Sequence, residues 1–449
     1  MFKNNKILVL GMARSGYEVS KYLSKRDNEI ILNDGGAEAK QDPNKIKELK
    51  DLGVKLIFGH HPDDLLDESF DYVIKNPGIK NDHKMVKQAE SLNIPVLNEV
   101  EVAYRLLPKD VTLVGITGTN GKTTTTTLTY NILHDYFGDR VHLAGNIGYP
   151  LISILDSLKS NDIIVMEVSC QQSVNFVEFK PHIALVTNFS PAHIDFFDGS
   201  FDKYMETKCK MFRNQNKEDI AIINYNNSNA MKKLKDIKSQ KKYFSSKEKC
   251  IGTYLENNKI YYNDEEVMAT AIIKIPGLHN LENIMGAISI AKEFNVPNES
   301  IQKTISNFKG VEHRLEYVST KHGVKFYNDT EATNIKCTQI ALASFKEPII
   351  IILGGLERGQ DFNDLVPYIK NVKAIIGIGE CRERVKGFGK KVNINTYIYE
   401  HLKDGFKKIT EIMQDGDVVL LSPASASWDQ YKECEIRGQE FKDLVNNIK

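Results

Sequence analysis

The sequence VTLVGITGTNGKTTTTT occupies residues 111–127 and decides the fold of the central part of the chain. Its apolar start predicts a buried strand over 111–114. The glycines that follow predict a turn leading into a helix that begins at Lys122. Backbone N–H groups in such a turn point at one place, and the helix start adds partial positive charge, so the segment suits a polyphosphate. Lys122 is expected to reach the outer phosphates and the Thr123 hydroxyl to bind Mg²⁺.

The spacing of this loop differs from the usual G-x-x-x-x-G-K-[ST] pattern, because Ile116 stands where the first glycine would be. A plain glycine-rich turn between a strand and a helix would not explain a Lys-Thr pair at the helix start. Phosphate binding is therefore the favoured interpretation. The residues predicted to bind ATP here are Gly118, Thr119, Asn120, Gly121, Lys122, Thr123 and Thr124.

Length and composition restrict the class of protein. A chain of 449 residues exceeds what one hydrophobic core usually holds, so several domains are expected. Lys and Arg together number 59, as do Asp and Glu, and this balance argues against a general nucleic-acid binder. The six cysteines form no C-x-x-C pair, which predicts neither a disulfide framework nor a zinc site. No stretch approaches the ~20 apolar residues of a membrane span, so we expect a soluble cytoplasmic protein.

The first hundred residues predict a nucleotide-binding α/β unit. A strand over Lys6–Leu10 is followed by a glycine-bearing turn, a helix and a second strand that ends at Asp34. The glycine spacing is close to a Rossmann fingerprint, but Ala13 replaces the middle glycine, so the ligand need not be NAD. Further strands are predicted over 55–58, 72–75 and 95–97, and a hinge over 106–110.

The middle of the chain continues the alternation of strands and helices. Glu167 ends a predicted strand, and a second strand over 183–187 leads into a segment that contains His193. Ligands collect at the ends of parallel strands in open α/β sheets. Ser200 is predicted to cap the helix that carries Lys208. Residues 226–270 are polar and predict a peripheral hairpin region without chemistry.

The last third predicts a further parallel α/β domain. Before it, Asn280 and Asn283 lie one turn apart on an amphipathic helix and so share a face. The expected strands of the domain, each followed by a small-residue loop and a helix, are 324–327, 349–353, 374–378 and 418–421.

Taken in order, these motifs resemble the Mur ligase family of ATP-dependent amide-bond ligases. The resemblance covers nearly the whole chain and rests on 115–124, 145–148, Glu167, His193, Lys208, 276–280, His313-Arg314 and Asn328-Asp329. The segments 11–16 and 421–429 are most similar to those of the member that adds D-glutamate to UDP-N-acetylmuramoyl-L-alanine. The resemblance implies an enzyme of peptidoglycan precursor synthesis that forms a carbon–nitrogen bond.

The family's architecture implies three domains. Residues 1–108 would form a Rossmann-like domain that binds the UDP substrate. Residues 109–310 would form a central P-loop ATPase domain with a parallel sheet, and 311–449 a C-terminal Rossmann-like domain that binds the amino acid. The implied partners are small molecules (a UDP-sugar peptide, D-glutamate and ATP), without nucleic acid or membrane, and the protein is expected to be a monomer.

The family's mechanism implies roles for single residues. The substrate carboxylate attacks the γ-phosphate of ATP, and the amine of the amino acid then attacks the resulting acyl phosphate. Lys122, His193 and Lys208 would be catalytic. Two Mg²⁺ ions are implied, with Thr123 and Glu167 holding one, and His193 and a carbamoylated Lys208 the other. A lysine can serve only if carbamoylation gives it anionic oxygens, since Mg²⁺ prefers oxygen ligands.

The resemblance also implies the remaining contacts of the substrates. ATP would be contacted by Asn280, Asn283, Arg314 and Asp329; the UDP substrate by Arg14, Ser15, Asp34, Gly35, Asn76 and Asn146; and the amino acid by Thr333, Arg358 and Ser427. The chain departs from the family at Glu331, where lysine is common, and at Cys434, where phenylalanine is usual.

Other functions stay open at the level of sequence. A sister ligase, of the Mur or folylpolyglutamate synthase type, would use a different amino acid. A non-catalytic nucleotide-binding protein would have lost part of its pocket, yet Lys122, Glu167 and Lys208 are present. An NAD-dependent oxidoreductase would rest on the N-terminal fingerprint alone, which Ala13 weakens.

Overall fold

A computed structural model describes residues 2–192 and 194–448, and in this part of the chain three β-sheets follow one another. The chain divides into two compact units. The first extends to Ala269 and includes Glu282–Gln302; the second comprises Thr270–Leu281 and the chain from Lys303 onward. Among the described helices, none combines the length and the apolar character needed to cross a membrane.

The first sheet, in the first unit, has five described strands, all parallel, in the order β3-β2-β1-β4-β5. Strands and helices alternate because a parallel neighbour requires a crossover connection. The strands are β1 (Lys6–Leu10), β2 (Glu29–Asp34), β3 (Lys55–Phe58), β4 (Tyr72–Lys75) and β5 (Val96–Leu97), and the helices are α1 (Arg14–Ser24), α2 (Pro43–Asp51), α3 (Lys84–Ser91) and α4 (Glu99–Leu106). The strands predicted in this region are confirmed to within a residue or two at each end.

The second sheet, also in the first unit, contains the P-loop strand as an interior strand. The strands are β6 (Thr112–Thr117), β7 (Val141–Gly145), β8 (Ile163–Glu167), β9 (Ile183–Val186), β10 (Ile220–Asn224), β11 (Gln240–Ser245), β12 (Gly252–Glu256), β13 (Lys259–Tyr262) and β14 (Glu265–Ala269). Helices of this region are α5 (Lys122–Phe137), α6 (Leu151–Ile154), α7 (Cys170–Ser173), α8 (Phe201–Arg213), α9 (Ser228–Lys233), α10 (Leu278–Glu293) and α11 (Asn298–Asn307). The order of the strands among the described residues is β14-β13-β12-β11-β10-β9-β6-β8-β7, so β6 lies between β9 and β8.

The polar segment 226–270 forms the predicted peripheral hairpins, since β12, β13 and β14 lie at one edge of this sheet, but it also extends the parallel part of the sheet. Strands β11 and β12 continue the parallel sheet beyond β10, and only β12, β13 and β14 pair in antiparallel fashion. Tyr254, Ile260 and Val267 are buried in the folded chain.

The third sheet lies in the second unit. Its strands are β15 (Glu316–Lys321), β16 (Val324–Asn328), β17 (Ile349–Gly354), β18 (Val372–Ile378), β19 (Asn395–Ile398) and β20 (Val418–Leu421), and its helices are α12 (Ile335–Leu342), α13 (Arg382–Lys391), α14 (Leu402–Ile412) and α15 (Cys434–Asn446). The order in the described part is β15-β16-β20-β17-β18-β19, with β15 antiparallel to β16. Because β20 lies between β16 and β17, their carboxyl ends meet at one edge, where open α/β sheets bind ligands.

Candidate active site

The loop between β6 and α5 has the conformation expected of a phosphate-binding turn. Gly118 and Gly121 adopt backbone φ angles of +144° and +79°, which residues other than glycine rarely adopt. A Cβ atom on Gly118 would lie 1.9 Å from Thr187 Oγ1, and one on Gly121 would lie 2.1 Å from Asn283 Oδ1. Asn283, which is predicted to contact ATP, therefore lies beside this loop, and its contact with the nucleotide stays a prediction. Both glycines are required by backbone angle and by space.

Hydrogen bonds to residues outside the predicted motifs hold this loop in place. The Thr119 N–H donates to Asn188 O (2.8 Å), and the Asn120 N–H donates to Asn188 Oδ1 (3.1 Å). The Thr119 hydroxyl donates to Ser190 O (3.0 Å) and lies 2.9 Å from the Tyr204 hydroxyl. Asn188 and Ser190 follow β9, the neighbour of β6, so their position at a strand end was the signal that could have identified them.

Lys122, the first residue of α5, lies over the loop that precedes it. Its Nζ donates to Gly118 O (3.1 Å) and Thr119 O (2.8 Å). Thr123 and Thr124 are half-buried in the first helical turn, where the backbone N–H groups have no partner within a helix. The loop thus gathers a primary ammonium group, a helix N-terminus and two hydroxyl groups.

Replacing Gly118 with alanine is expected to destabilise the chain and to impair nucleotide turnover. The left-handed backbone and the overlap with Thr187 Oγ1 should lower the free energy of unfolding by about 1–3 kcal/mol, and phosphate release should fall at least about tenfold. Denaturant unfolding and a phosphate-release assay measure the two effects. Gly138→Ala is the matched control. That glycine also has a positive φ (+65°), but a Cβ atom added there would meet no atom within 4 Å. Full turnover by Gly118→Ala, with Gly138→Ala equally active, would contradict the assignment of the loop.

Glu167 presents a buried carboxylate beside the P-loop strand. It ends β8 directly opposite Ile116 of β6, and its side chain is 1% exposed. One oxygen accepts a hydrogen bond from the Asn146 amide (2.7 Å), whereas Oε2 has no hydrogen-bond partner among the described residues. A buried carboxylate oxygen without a donor suits a hard divalent cation. Glu167 therefore fits the Mg²⁺ role that the resemblance implies, and Asn146 holds it in place.

Lys208 reaches the same place from α8. Its side chain is 1% exposed, and Nζ lies 3.3 Å from Thr117 Oγ1 and 5.2 Å from the centre of the Tyr204 ring. Burial, and after it the positive charge of Lys122, lowers the pKa of Lys208 from 10.5 to about 7. The Lys208 amine is therefore neutral at a pH at which an ordinary lysine is charged.

Cys170 is buried close to Lys122 and Lys208, and burial raises the pKa of its thiol. His193, predicted to be catalytic and to bind the second metal ion, lies outside the described residues.

The N-terminal residues predicted to bind the UDP substrate meet at the carboxyl edge of the first sheet. The Asp34 carboxylate accepts hydrogen bonds from the N–H groups of Met12 (2.7 Å) and Gly36 (2.7 Å), so both its oxygens hold loop backbone. The Asn76 amide donates to the Ser15 hydroxyl (3.1 Å). A Cβ on Gly35, a further predicted site residue, would lie 2.8 Å from His61 Nε2.

Arg14 connects this edge to the second sheet. Its guanidinium donates to the carbonyl oxygen of Gly148. Gly148 belongs to the short loop after β7 that also carries Asn146. Because the Asn146 amide in turn donates to Glu167, the predicted UDP-substrate residues are joined through two contacts to the predicted metal ligand.

In the second unit, the residues predicted to contact ATP have partners of their own. The Arg314 guanidinium forms an ion pair with Glu331 (3.3 Å). Asp329 accepts from the Leu315 N–H (3.1 Å) and the Ser422 hydroxyl (2.8 Å), and its burial raises its pKa to about 7. Asn280 donates to Pro276 O (2.7 Å). Their role at the nucleotide stays a prediction.

A cavity of about 350 Å³ lies at the carboxyl edge of the third sheet; we call it the strand-end cavity. It brings together Thr333 and Arg358, two of the residues predicted to bind the amino acid. Ser427, the third, is not among the lining residues; it is 1% exposed, and its hydroxyl has no hydrogen-bond partner among the described residues. The cavity is lined by Thr333, Asn334, Ile335, Lys336, Arg358, Gln360, Ala424, Ser425 and Ala426.

Family models match three consecutive segments of the chain. They are described as "Mur ligase MurD-like, N-terminal domain" over residues 5–98, "Mur ligase middle domain" over 116–291, and "Mur ligase, glutamate ligase domain" over 313–425. Together they take up most of the sequence and correspond in order to the three sheets.

Curated relatives match over their whole length. A protein of Streptococcus agalactiae named UDP-N-acetylmuramoylalanine–D-glutamate ligase is 41% identical over 449 residues, which is 100% of this chain and 98% of that protein. Proteins of the same name from Enterococcus hirae and Listeria monocytogenes are 41% and 39% identical, covering 99% and 100% of this chain and 97% and 98% of theirs.

Solved structures support the fold. UDP-N-acetylmuramate-alanine ligase from Thermotoga maritima superposes with a TM-score of 0.59 at 19% identity, covering 99% of this chain and 100% of that one. MurF from Acinetobacter baumannii superposes with a TM-score of 0.58 at 16% identity, covering 96% and 93%. At this level of identity the likeness concerns the architecture of the chain.

Proposed function

The chain belongs to the Mur ligase family, and we propose that it joins D-glutamate to UDP-N-acetylmuramoyl-L-alanine with the conversion of ATP to ADP and phosphate. This is the amide-bond reaction named in its full-length relatives, a step of peptidoglycan precursor synthesis. The observation that carries the proposal is the convergence of Lys122, Glu167 and Lys208 at the carboxyl edge of the second sheet.

The first step is transfer of the γ-phosphoryl group to a carboxylate. An oxygen of the substrate carboxylate attacks the γ-phosphorus, the bond to the β-phosphate oxygen breaks, and ADP leaves. Negative charge spreads over the transferring group, and the Lys122 ammonium together with the N–H groups of the loop can neutralise it. The contacts of Lys122 with Gly118 O and Thr119 O place that ammonium at the loop.

The second step forms the amide bond. The neutral amine of D-glutamate attacks the acyl carbon, the phosphate leaves with the oxygen that linked it to the acyl group, and the departing phosphate takes up the proton that the nitrogen loses. A buried site protects the acyl phosphate from water. The Thr119–Tyr204 contact and the buried Lys208 side chain close the loop from one side.

We propose that Glu167 and Thr123 hold one Mg²⁺ and that His193 and a carbamoylated Lys208 hold a second. The metal ions supply positive charge at the phosphate and carboxylate oxygens when they are bound. The unpartnered Oε2 of Glu167 supports the first ion. Among the described residues, no carboxylate is hydrogen-bonded to the buried Lys208 amine. This and its lowered pKa support the carbamate, because only a neutral amine reacts with CO₂.

The resemblance to the Mur ligase family is the basis on which we propose the other substrate contacts. Arg14, Ser15, Asp34, Gly35, Asn76 and Asn146 would bind the UDP-sugar peptide; Asn280, Asn283, Arg314 and Asp329 would bind ATP; and Thr333, Arg358 and Ser427 would bind D-glutamate. Domain boundaries near residues 108 and 310, a monomeric state and a cytoplasmic location belong to the same proposal. The hydrogen bonds of Asp34 with Met12, of Asn76 with Ser15 and of Arg14 with Gly148 support the UDP assignment.

Phosphate release by the purified protein tests the function. The protein is incubated with ATP, Mg²⁺ and UDP-N-acetylmuramoyl-L-alanine, and one amino acid is added at a time. We expect release that depends on D-glutamate and is absent with L-glutamate, L-alanine and diamino acids. Release with a different amino acid would instead identify a sister ligase, and no release with any of them would contradict an enzymatic function.

Replacing Glu167 with glutamine is expected to raise the Mg²⁺ concentration needed for half-maximal activity at least about tenfold, because one charged oxygen ligand becomes neutral. A magnesium titration of phosphate release measures the effect. The control is Glu178→Gln, whose carboxylate is half-exposed and pairs with Arg105. If Glu167→Gln has the magnesium dependence of the unmutated protein, the carboxylate is not a metal ligand.

A further inference from the structure

The strand-end cavity is lined by a positively charged residue, Lys336, that is not among the site residues predicted from the sequence. Two of its nine lining residues, Lys336 and Arg358, are positively charged, and none carries a carboxylate. The excess of positive charge is local, because the chain as a whole has equal numbers of basic and acidic residues. A cavity of this composition selects an anionic ligand, and two separate cations suit a ligand with two anionic groups.

Lys336 comes from the loop and helix that follow β16. It is the second residue of α12, and Asn334 caps that helix by accepting a hydrogen bond from the Cys337 N–H (3.1 Å). The cap and the first two residues of α12 all line the cavity. The partial positive charge of the helix N-terminus therefore adds to that of the lysine on the same wall.

Arg358 comes from a different loop, the one after β17. Its guanidinium lies 4.6 Å from the centre of the Trp428 ring, a cation–π contact that restricts its position. Gln360, two residues later, donates to the Ser425 hydroxyl and so fixes the same loop to the one that follows β20. The two cations are thus held by independent segments of the chain.

Position 331 supplies no positive charge to the strand-end cavity. The family commonly has lysine at position 331, and here the charge is reversed. The Glu331 carboxylate pairs with Arg314 (3.3 Å) and does not line the strand-end cavity. Without another cation, one carboxylate of a bound dicarboxylic amino acid would lose its water shell with no charged partner, which is costly.

We propose that Lys336 is the specificity-determining residue that binds one carboxylate of the incoming D-glutamate, while Arg358 binds the other. Lys336 is the second positive charge among the residues that line the cavity. This inference rests on the proposed function, since it concerns the amino-acid substrate of that reaction. Lys336 is an exposed residue that lines the cavity.

Steady-state kinetics of Lys336→Gln test the proposal. The KM for D-glutamate should rise about 10- to 100-fold, the effect of losing one charge-assisted hydrogen bond, while kcat and the KM for ATP stay within about twofold. Lys336→Arg should restore most of the affinity. Lys346→Gln is the matched control, because Lys346 is an exposed lysine of the same unit that does not line the cavity. A KM for D-glutamate within twofold of the unmutated value would overturn the proposal.

Two monoamides of D-glutamate determine which of its carboxylates Lys336 binds. In D-glutamine the side-chain carboxylate is replaced by a neutral amide, and in D-isoglutamine the α-carboxylate is replaced. For whichever compound lacks the partner of Lys336, the Lys336→Gln change should leave the KM unaltered. A rise of KM that is equal for D-glutamate and both amides would show that the lysine acts on the cavity as a whole, and would overturn a specific contact.

Direct binding separates this inference from the proposed function. Glutarate, which has two carboxylates and no amine, is titrated into the full-length protein by calorimetry. Weaker binding to Lys336→Gln than to Lys346→Gln, by about tenfold or more, supports the carboxylate contact even if the unmutated protein releases no phosphate with D-glutamate. In that case the proposed function alone would fail. Equal glutarate binding by the two variants would overturn the inference.

Discussion

Replacing Lys122 with alanine is expected to lower kcat by about 10²- to 10³-fold. The ammonium is the cation that the loop itself supplies to the transferring phosphoryl group, and removing one preorganised donor from such a site costs about 10²–10³-fold. The contacts with Gly118 O and Thr119 O show that the side chain already lies at the loop. The loss should appear in kcat as well as in the KM for ATP, because charge on the phosphoryl group grows toward the transition state.

Two further variants control this result. Lys122→Arg keeps the charge but changes its geometry, and should retain more activity than the alanine variant. Lys109→Ala removes an exposed lysine shortly before β6 and should behave like the unmutated protein. Thermal unfolding of all three confirms that they are folded. If folded Lys122→Ala turns over within about threefold of the unmutated rate, the loop does not take part in phosphoryl transfer.

Replacing Lys208 with alanine is expected to reduce turnover at least about 10²-fold, and a small carboxylic acid such as formate or acetate should restore part of it. The reason is that the carbamate would act through its oxygens, and the space left in the buried site can hold a carboxylate that supplies them. Phosphate release as a function of acid concentration measures the rescue. Lys203→Ala, an exposed lysine of the same helix that pairs with Asp198, is the matched control and should neither lose activity nor respond to acid.

The carbamate itself can be observed. Carbon-13 NMR of the unmutated protein in labelled bicarbonate should show a carbamate signal that is absent from Lys208→Ala. The signal should be strong above about pH 7, because burial lowers the pKa of the Lys208 amine to about 7 and leaves it neutral there. Lys208→Ala with undiminished activity, or an unmutated spectrum without the signal, would contradict the assignment of Lys208 as a carbamoylated metal ligand.

The parts of the site that are local in sequence could be predicted from it. The apolar strand, the spaced glycines and the Lys-Thr pair of residues 111–127 describe a strand, a turn and a helix whose geometry depends on near neighbours. The structure confirms the helix start at Lys122 and the positive φ angles of Gly118 and Gly121.

The meeting of Lys122 with Glu167 and Lys208 could not be derived from spacing. Glu167 lies opposite Ile116 because β8 is a neighbour of β6, and Lys208 reaches Thr117 because α8 packs against the same strands. Strand order depends on long-range packing, so the sequence offered only a carboxylate at a strand end and a lysine on an amphipathic helix. The resemblance to a family supplied what the residues alone could not.

Half-buried elements were missed for a different reason. Strands β15 and β19 contain polar residues on one side and are mostly only partly buried, so their apolar pattern is weak. Lys336 likewise has the sequence signature of a solvated lysine at the start of a helix. Only the arrangement of the loops after β16, β17 and β20 around one cavity indicates that it faces a ligand site.

Transfer of oxygen from substrate to phosphate tests the central claim most directly. UDP-N-acetylmuramoyl-L-alanine labelled with ¹⁸O in both carboxylate oxygens is turned over with ATP and D-glutamate, and the released phosphate is examined by mass spectrometry. If the carboxylate is activated as an acyl phosphate at the Lys122 loop, each phosphate carries one ¹⁸O atom. Phosphate without the label would mean that water, and not the substrate carboxylate, attacks ATP, and would contradict the mechanism.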